Sequence, residues 1–183
     1  MRDNVNELFP LVDNDGNVIG KILRGEAHNG SKKLHPVVHL HVLNNAGKLY
    51  LQKRPVWKDI QPGKWDTACG GHVAYGESTL DALSREVREE LGITEYTPKF
   101  ITSYVFESSV EREFVNVFYT TFDGVLHPSK AELDGGRFWS LDEIAENIDN
   151  NAFTENFRHE YTNVLLPIIQ GSEPMLKNGK ILQ

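Results

Sequence analysis

Three glutamates in one short segment have the residue type and the spacing to bind a divalent metal. Glu86 lies three residues before Glu89 and four before Glu90, which brings all three to one side of a predicted helix. Two like charges about 4 Å apart repel by roughly 4 kcal/mol at an effective dielectric of 20. A cation among them removes this cost, and all-oxygen ligation favours Mg²⁺ or Mn²⁺. The alternative is a solvated acidic face, the usual role of a run of charges.

The residues around these glutamates favour the metal site. Residues 71–93 match the Nudix box, G-x5-E-x7-R-E-U-x-E-E-x-G-U with U an aliphatic residue, at every position, so the chain resembles the Nudix family. The matching residues are Gly71, Glu77, Arg85, Glu86, Val87, Glu89, Glu90, Gly92 and Ile93.

The resemblance implies a metal-dependent pyrophosphohydrolase that cleaves a diphosphate linkage in a small nucleoside or other organic diphosphate. Ions held by the three glutamates would neutralise the diphosphate, orient it and lower the pKa of a bound water. Glu86 is the first candidate for the general base and Glu113 the second. Arg85 and Glu77 are expected to brace the box by a salt bridge, with Gly71 and Gly92 as further structural positions.

Five more residues resemble the metal site of type 1 isopentenyl-diphosphate isomerase, itself a Nudix-fold enzyme. They are His28, His35, His72, Glu111 and Glu113. The last two are separated by one residue on a predicted strand and therefore point to the same face. Three imidazoles with carboxylates favour Zn²⁺, Mn²⁺ or Fe²⁺ over Mg²⁺, so the resemblance implies a second divalent ion.

The loop after the second predicted hairpin continues this resemblance. The pattern Arg54-x3-Lys58-x3-Pro62-Gly63-x-Trp65 follows the isomerase segment that carries its diphosphate-binding Arg and Lys. The resemblance therefore implies that Arg54 and Lys58 bind the substrate. The alternative is that both are ordinary solvated residues of a loop.

Two departures from the isomerase favour hydrolysis. The isomerase has its catalytic cysteine where this chain has Gly70, and Cys69, one residue earlier, points to the opposite face of an extended segment. The isomerase also has Arg and Tyr where this chain has Glu86 and Glu89. Isomerase activity remains the first alternative, and a non-catalytic Nudix-fold module that binds a nucleotide or metabolite is the second.

His39 and His41 form a further pair. They are two residues apart on a predicted strand and share a face with Val37 and Leu43. This alternation predicts that both imidazoles are packed or line a pocket. A metal-binding pair is the alternative.

Hairpins and helices must position these groups. Alternating apolar residues and turn signals predict one hairpin over 8–12 and 18–23 and a second over 37–43 and 48–54, with an irregular polar segment at 24–35 between them. Two further strands are expected at 100–106 and 114–122.

Helix signals accompany the strands. A helix is predicted from Ser78 to residue 91, capped by Ser78 with Asp81 and ended by Gly92. Its expected core stripe consists of Leu80, Leu83, Val87 and Leu91. Shorter and longer helices are expected from Ser140 and over 154–169. Because strands outnumber helices and the hairpins imply mixed pairing, the elements predict an α+β or α/β/α class with a mixed β-sheet. The resemblance implies a Nudix-type α/β/α sandwich, which we take as the expected α+β fold.

Length and composition limit the remaining choices. The chain has 183 residues, 39% hydrophobic and 25% charged, which predicts a single domain over 1–183. Within it we distinguish the N-terminal hairpin and loop (1–34), the Nudix box (71–93) and a C-terminal tail (171–183). A net charge of −7 argues against a nucleic acid polymer as partner, so the expected partner is a small diphosphate-containing substrate.

Cellular location is inferred from what the sequence lacks. No apolar run approaches the ~20 residues that cross a bilayer, so no membrane association is expected. There is no basic segment followed by an apolar one at the N-terminus, and Cys69 is the single cysteine. These features predict a cytoplasmic protein, and a monomer and a homodimer are both compatible with them.

Overall fold

The computed structural model describes residues 4–58 and 60–169, together with the backbone of two short strands, β10 (Leu176–Lys177) and β11 (Lys180–Ile181). Apart from β10 and β11, the tail predicted at 171–183 lies outside the described residues. The N-terminal hairpin of β1 (Leu8–Val12) and β2 (Val18–Leu23) is confirmed.

The segment between the two hairpins is more regular than the sequence predicts. The irregular stretch expected at 24–35 contains a short helix, α1 (Arg24–Ala27), and the start of β3 (Leu34–Leu43). Strand β3 begins earlier than its run of β-branched residues because Leu34, His35 and Pro36 pair with residues 112–114 of a parallel neighbour. His35 is therefore fixed on a strand and not on a loop.

A seven-stranded mixed sheet is built around β3. On one side β3 pairs in parallel with β8 (Arg112–Thr121), which pairs with β7 (Lys99–Glu107). On the other side it pairs with β4 (Leu49–Lys53) and β6 (Cys69–His72), while β5 (Trp65–Asp66) and β9 (Gly136–Trp139) pair with β4. The sequence does not predict β5, β6 and β9, because each has only two to four residues.

Strands β4 and β6 pair with the same edge of β3 at different positions along it and diverge from each other. Strand β6 pairs with residues 37–40 of β3, whereas β4 pairs only with Val42 and Leu43. Within the described sheet, β6 has β3 as its only paired neighbour. A gap therefore opens between β4 and β6, and polar side chains can enter the sheet there.

Helices cover both faces of the sheet. Helix α2 (Thr79–Leu91) packs Leu83, Val87 and Leu91 against even-numbered residues of β3. The predicted stripe is wrong at Leu80, which is 56% exposed, because it lies in the first turn, before the part of the helix that is buried. Helix α3 (Leu141–Asn147) begins at Ser140 as predicted, with a complete capping box.

The last predicted helix is interrupted. Residues 154–169 form α4 (Glu155–Glu160), a π-helical turn (Tyr161–Leu165) and α5 (Leu166–Ile169). Pro167 provides a physical reason, because a proline clashes with the carbonyl four residues earlier and a wider turn relieves the clash. Among the described helices, none has the length and apolar character needed to cross a bilayer.

The loop before α2 is tied to its neighbours by one arginine. The Arg85 guanidinium donates to both carboxylate oxygens of Glu77 at 2.9 Å and to the carbonyl of His72 at 2.9 Å. Gly92 ends the helix with a φ of 68°, a left-handed conformation that favours glycine. Strand β6, the loop and α2 are thereby joined into one unit that fixes the acidic face of the helix.

The Arg85 contacts can be tested by a substitution that keeps the charge. Arg85→Lys removes the two-pronged bond to Glu77, and we expect the free energy of unfolding to fall by about 1–3 kcal/mol, as measured by urea denaturation. Arg88→Lys is the matched control, because Arg88 is exposed and its one ion pair among the described residues is with Glu89, at 3.8 Å. Its expected change is below about 0.5 kcal/mol. Equal changes in the two variants would contradict a structural role for Arg85.

Candidate active site

Glu86 lies flat against strand β6. A Cβ atom at position 71 would overlap the Glu86 carboxylate, so glycine is required there for the close approach. One carboxylate oxygen accepts a hydrogen bond from Arg85 at 2.6 Å. Burial nevertheless raises the pKa of Glu86. This carboxylate is held in a poorly hydrated position, with one cation beside it.

Glu90 enters the gap between β4 and β6. Its Oε2 atom accepts hydrogen bonds from the Gly70 backbone N–H at 3.3 Å and from Gln52 at 3.4 Å. Burial, followed by the negative charge of Glu86, raises the pKa of Glu90 to about 8. Glu89 lies at the rim, with its side chain 52% exposed and 3.8 Å from Arg85. Glu86 and Glu90 form the inner part of the acidic cluster, and the repulsion between them favours a bound cation.

Three histidines converge on the other face of β6. Ligand atoms of His28, His35 and His72 all lie within 4.8 Å of one another. The Nε2 atoms of His28 and His72 are 3.0 Å apart, and Glu111 is 3.6 Å from the former. Phe9 of β1 stacks on the His72 ring with centroids 4.4 Å apart. The N-terminal hairpin thus forms a wall of this cluster.

The arrangement of the histidines fits a transition-metal ion. His35 Nδ1 is 3.0 Å from the carbonyl of Lys33, which directs Nε2 into the cluster, where it is buried without a hydrogen-bond partner among the described residues. Burial lowers the pKa of His35 and, together with the charge of His35, the pKa of His72. Neutral imidazoles with lone pairs directed at one point are the form in which histidine binds metal.

The two glutamates beside these histidines are buried. Burial, then the charge of Glu113, raises the pKa of Glu111 to about 7. The side-chain amide of Asn156, on α4, donates to Glu113 at 3.1 Å. The structure therefore brings the three histidines together with Glu111 beside His28, and the charge of Glu113 acts on His35 and Glu111. It also adds Asn156, for which the sequence carries no signal.

Arg54 and Lys58 lie on the loop after β4 and have partners within the protein. Arg54 donates to the carbonyl of Ile60 and, at 3.2 Å, to Asp66, so it shapes its own loop. Lys58 is 3.3 Å from Glu132. Arg54 also lowers the pKa of Glu111, and Lys58 that of Glu90, although neither effect is the dominant one. Both cations therefore act on the predicted metal ligands.

Cys69 and Gly70 face opposite sides of the sheet, as strand alternation predicts. The Cys69 thiol is buried on the α2 side, where burial and then the charge of Glu90 raise its pKa well above its usual range. Gly70 faces the histidines, and a Cβ atom there would lie 3.1 Å from the Cδ2 atom of His39. The position that holds the catalytic thiol in the isomerase is thus occupied in this chain by the edge of an imidazole.

His39 and His41 share a buried carboxylate that the sequence does not predict. Glu160 accepts from His39 Nδ1 at 2.6 Å, from His41 Nε2 at 2.7 Å and from the Tyr104 hydroxyl at 2.8 Å. The prediction that these two histidines are packed is confirmed, and the alternative of a metal-binding pair is not favoured, because both are turned to Glu160. No motif marks Glu160, which lies about 120 residues along the chain from its partners.

The ion pair between His39 and Glu160, called the Glu160 pair below, changes the pKa of both residues. Burial lowers the pKa of His39, but the charge and hydrogen bond of Glu160 outweigh this and raise it to about 9. Burial likewise raises the pKa of Glu160, and His39 and His41 reverse this and hold it well below its usual range. At neutral pH the pair consists of an imidazolium and a carboxylate.

Comparisons with known proteins identify the family and the fold. Residues 33–161 match the NUDIX domain. An isopentenyl-diphosphate delta-isomerase of Mycolicibacterium vanbaalenii is 37% identical over 133 residues, which cover 69% of this chain and 74% of that protein. The solved structure of a MutT protein from Methanosarcina mazei Go1 has a TM-score of 0.63 at 26% identity, covering 72% of this chain and 92% of that one. The DR0079 structure from Deinococcus radiodurans shares the fold, with a TM-score of 0.75 at 23% identity, covering 86% and 99%.

The Glu160 pair predicts a pH-dependent contribution to stability. The pKa of His39 is raised by folding, so this contribution is complete below about pH 6.5, the usual value for histidine, and is lost as the pH rises to about 9. The pKa of Glu160 is lowered, so the contribution is also lost as the pH falls below about 4. We expect Glu160→Gln to lower the free energy of unfolding by about 3 kcal/mol at pH 6 and by clearly less at pH 9.5.

Urea denaturation from pH 5 to 10 measures this difference. Tyr104→Phe is the matched control, because it removes a hydrogen bond to the same carboxylate and no charge from this pair. Its cost is expected to be about 1 kcal/mol at both pH 6 and pH 9. A cost of Glu160→Gln that stays constant from pH 6 to 9.5 would rule out the ionic pair.

Proposed function

The chain belongs to the Nudix family, and on that premise we propose that it is a metal-dependent pyrophosphohydrolase acting on a small nucleoside or other organic diphosphate. The observation that carries the proposal is the burial of Glu86 and Glu90 beside the gap between β4 and β6. Two carboxylates that share a poorly hydrated space take up a proton or bind a cation, and a hydrolase of this family needs a cation at its diphosphate.

Enzymes of this family generally use divalent metals. Mg²⁺ or Mn²⁺ would be held by Glu86, Glu89 and Glu90, and such an ion neutralises phosphate charge and acidifies a bound water. Glu86 is the first candidate to take the proton of the attacking water, because its position over Gly71 is fixed, and Glu113 is the second. Arg54 and Lys58 would neutralise part of the substrate charge.

A second divalent ion, Zn²⁺, Mn²⁺ or Fe²⁺, is proposed at the His/Glu site. His28, His35, His72, Glu111 and Glu113 would hold it, and the inward-directed Nε2 atom of His35 supports this assignment. Asn156 would keep Glu113 in place through its amide. The substrate phosphates would then meet positive charge on both faces of β6.

The second candidate function is isomerisation of isopentenyl diphosphate. It is favoured by the His/Glu site and by the similarity to the Mycolicibacterium vanbaalenii protein, an isopentenyl-diphosphate delta-isomerase. The reaction adds a proton to one face of an alkene and removes one from the other face. Cys69 points away from the histidines with a raised pKa, and Gly70 has no side chain to move a proton. We therefore rank hydrolysis first.

The test of hydrolysis is a panel of nucleoside and other organic diphosphates, assayed for phosphate or pyrophosphate release with Mg²⁺ or Mn²⁺. Glu90→Gln removes a carboxylate charge from the gap, and we expect kcat/KM to fall by about a hundredfold or more. Glu146→Gln, an exposed glutamate on α3, is the control and should retain the wild-type value. Equal activity in all three proteins would exclude the acidic cluster from the mechanism.

The same panel separates catalysis from binding alone. If no member is hydrolysed with either metal while one binds tightly, the third class, a non-catalytic nucleotide- or metabolite-binding module, replaces the proposal. Where turnover is found, Glu86→Gln and Glu113→Gln are compared at saturating substrate. The variant with the larger fall in kcat identifies the stronger candidate for the base.

Isomerisation is tested directly by proton exchange. The protein is incubated in D₂O with isopentenyl diphosphate and with Mg²⁺ together with Zn²⁺ or Mn²⁺. Deuterium in the recovered diphosphate is then measured by mass spectrometry. We expect no uptake above the protein-free control, because position 70 lacks the thiol. Rapid uptake would show isomerase activity and reverse our ranking of the two functions.

A further inference from the structure

His39 lies beside the His/Glu site without belonging to either candidate site. It is on β3, on the face that carries His35, and its charge lowers the pKa of His72 among other contributions. The charges of Glu113 and of Asp66 each contribute to raising its own pKa, after Glu160. Asp66 is the partner of Arg54. The imidazole is therefore situated between the His/Glu site and the loop that carries the two substrate-binding candidates.

The orientation of the His39 ring is fixed from behind. Nδ1 is held by Glu160 at 2.6 Å, and that carboxylate is anchored in turn by His41 and Tyr104. The opposite edge, made of Cδ2 and Nε2, borders Gly70, where a Cβ atom would come within 3.1 and 3.4 Å of these two atoms. Glycine at position 70 therefore lets this edge lie against the strand backbone, and the side chain of His39 keeps 9% of its surface exposed.

The Nε2 atom of His39 has no hydrogen-bond partner in this network. Among the described residues it has no hydrogen-bond partner, although His39 is more than nine-tenths buried and its side chain is only 9% exposed. His41 makes a clear contrast, because its Nε2 is bound to Glu160 and its Nδ1 lies 3.1 Å from the Thr67 hydroxyl. Glu160 thus binds His41, whose two ring nitrogens both have partners, and His39, whose Nε2 has none among the described residues.

The ion pair with Glu160 makes Nε2 a donor. An imidazolium carries a proton on both nitrogens, so Nε2–H points outward with positive charge behind it. Such a group binds anions, and charge-assisted hydrogen bonds to phosphate oxygens are among the stronger ones in proteins. The surrounding carboxylates repel a free phosphate. A diphosphate whose charge is neutralised by metal ions avoids this repulsion.

We propose that His39 Nε2–H donates a hydrogen bond to a phosphate oxygen of the bound diphosphate beside Gly70, and that Glu160 is the positioning residue behind it. This assignment rests on the proposed function and adds a substrate-binding residue to it. Glycine at position 70 contributes by admitting the imidazole edge, which a Cβ atom there would push away.

Binding of methylenediphosphonate, a diphosphate that cannot be hydrolysed, tests the assignment. Affinity is measured by titration calorimetry in saturating Mg²⁺ for wild type, His39→Asn and His39→Gln. Asparagine can keep the bond to Glu160 but has no atom at the Nε2 position, and we expect it to weaken binding about ten- to hundredfold. Glutamine places an amide donor near Nε2, so it is expected to bind more tightly than the asparagine variant. Wild-type affinity in the asparagine variant would overturn the assignment.

Two further measurements guard against a general structural effect. Ser140→Ala removes the N-cap of α3 and touches neither His39 nor Glu160, so it should bind methylenediphosphonate within about twofold of wild type; a loss as large as that of His39→Asn would overturn the assignment. In wild-type protein, the ¹⁵N signal of His39 Nε2 should move on adding the diphosphonate and stay in place with Mg²⁺ alone. A signal that does not respond to the diphosphonate also overturns it.

The outcome does not depend on turnover. If the diphosphate panel shows no hydrolysis while methylenediphosphonate binds through His39, the proposed hydrolysis fails and the binding assignment stands. If hydrolysis is found and His39→Asn binds as wild type does, the binding assignment fails and the proposed function stands.

Discussion

Glu86 and Glu90 lie beside each other where water has little access, and this arrangement governs the rest of the molecule. Each carboxylate has its pKa raised by burial, because desolvation disfavours a charge that too few cations offset. Much of the neighbouring structure keeps the two groups in that unfavourable position. Arg85 ties the helix to the preceding loop, and the parting of β4 from β6 provides the space that Glu90 occupies.

Strand β6 explains how one short element serves two sites. Its side chains alternate, so Gly71 faces α2 and Glu86, while Gly70 faces β3 and His39. Both glycines allow a polar group to lie against the backbone, one carboxylate and one imidazole. The next residue, His72, belongs to the histidine cluster. A diphosphate spanning this strand could meet ligands from both faces of the sheet over only three residues.

The parts of this structure that the sequence predicts are those with a local signature. The box could be placed because helix spacing puts Glu86 and Glu90 on one side, and Ser78 and Gly92 mark the helix ends by their own conformational preferences. The five residues of the His/Glu site were found through a resemblance and not by local rules, since they come from separate elements.

What escaped prediction depends on tertiary contacts. Strands β5, β6 and β9 are too short for a periodic pattern, and Leu80 has the right spacing but lies where the sheet does not cover it. Glu160 resembles any glutamate of an amphipathic helix until α4 docks on β3. The π-helical turn that follows Glu160 is explained by the clash of Pro167 with regular helix geometry. The pattern of apolar residues does not reveal this clash. The long separation between Glu160 and His39 also bears on folding, because closing a loop of this length carries an entropic cost. Until α4 docks on the sheet, His39 lacks the carboxylate that raises its pKa.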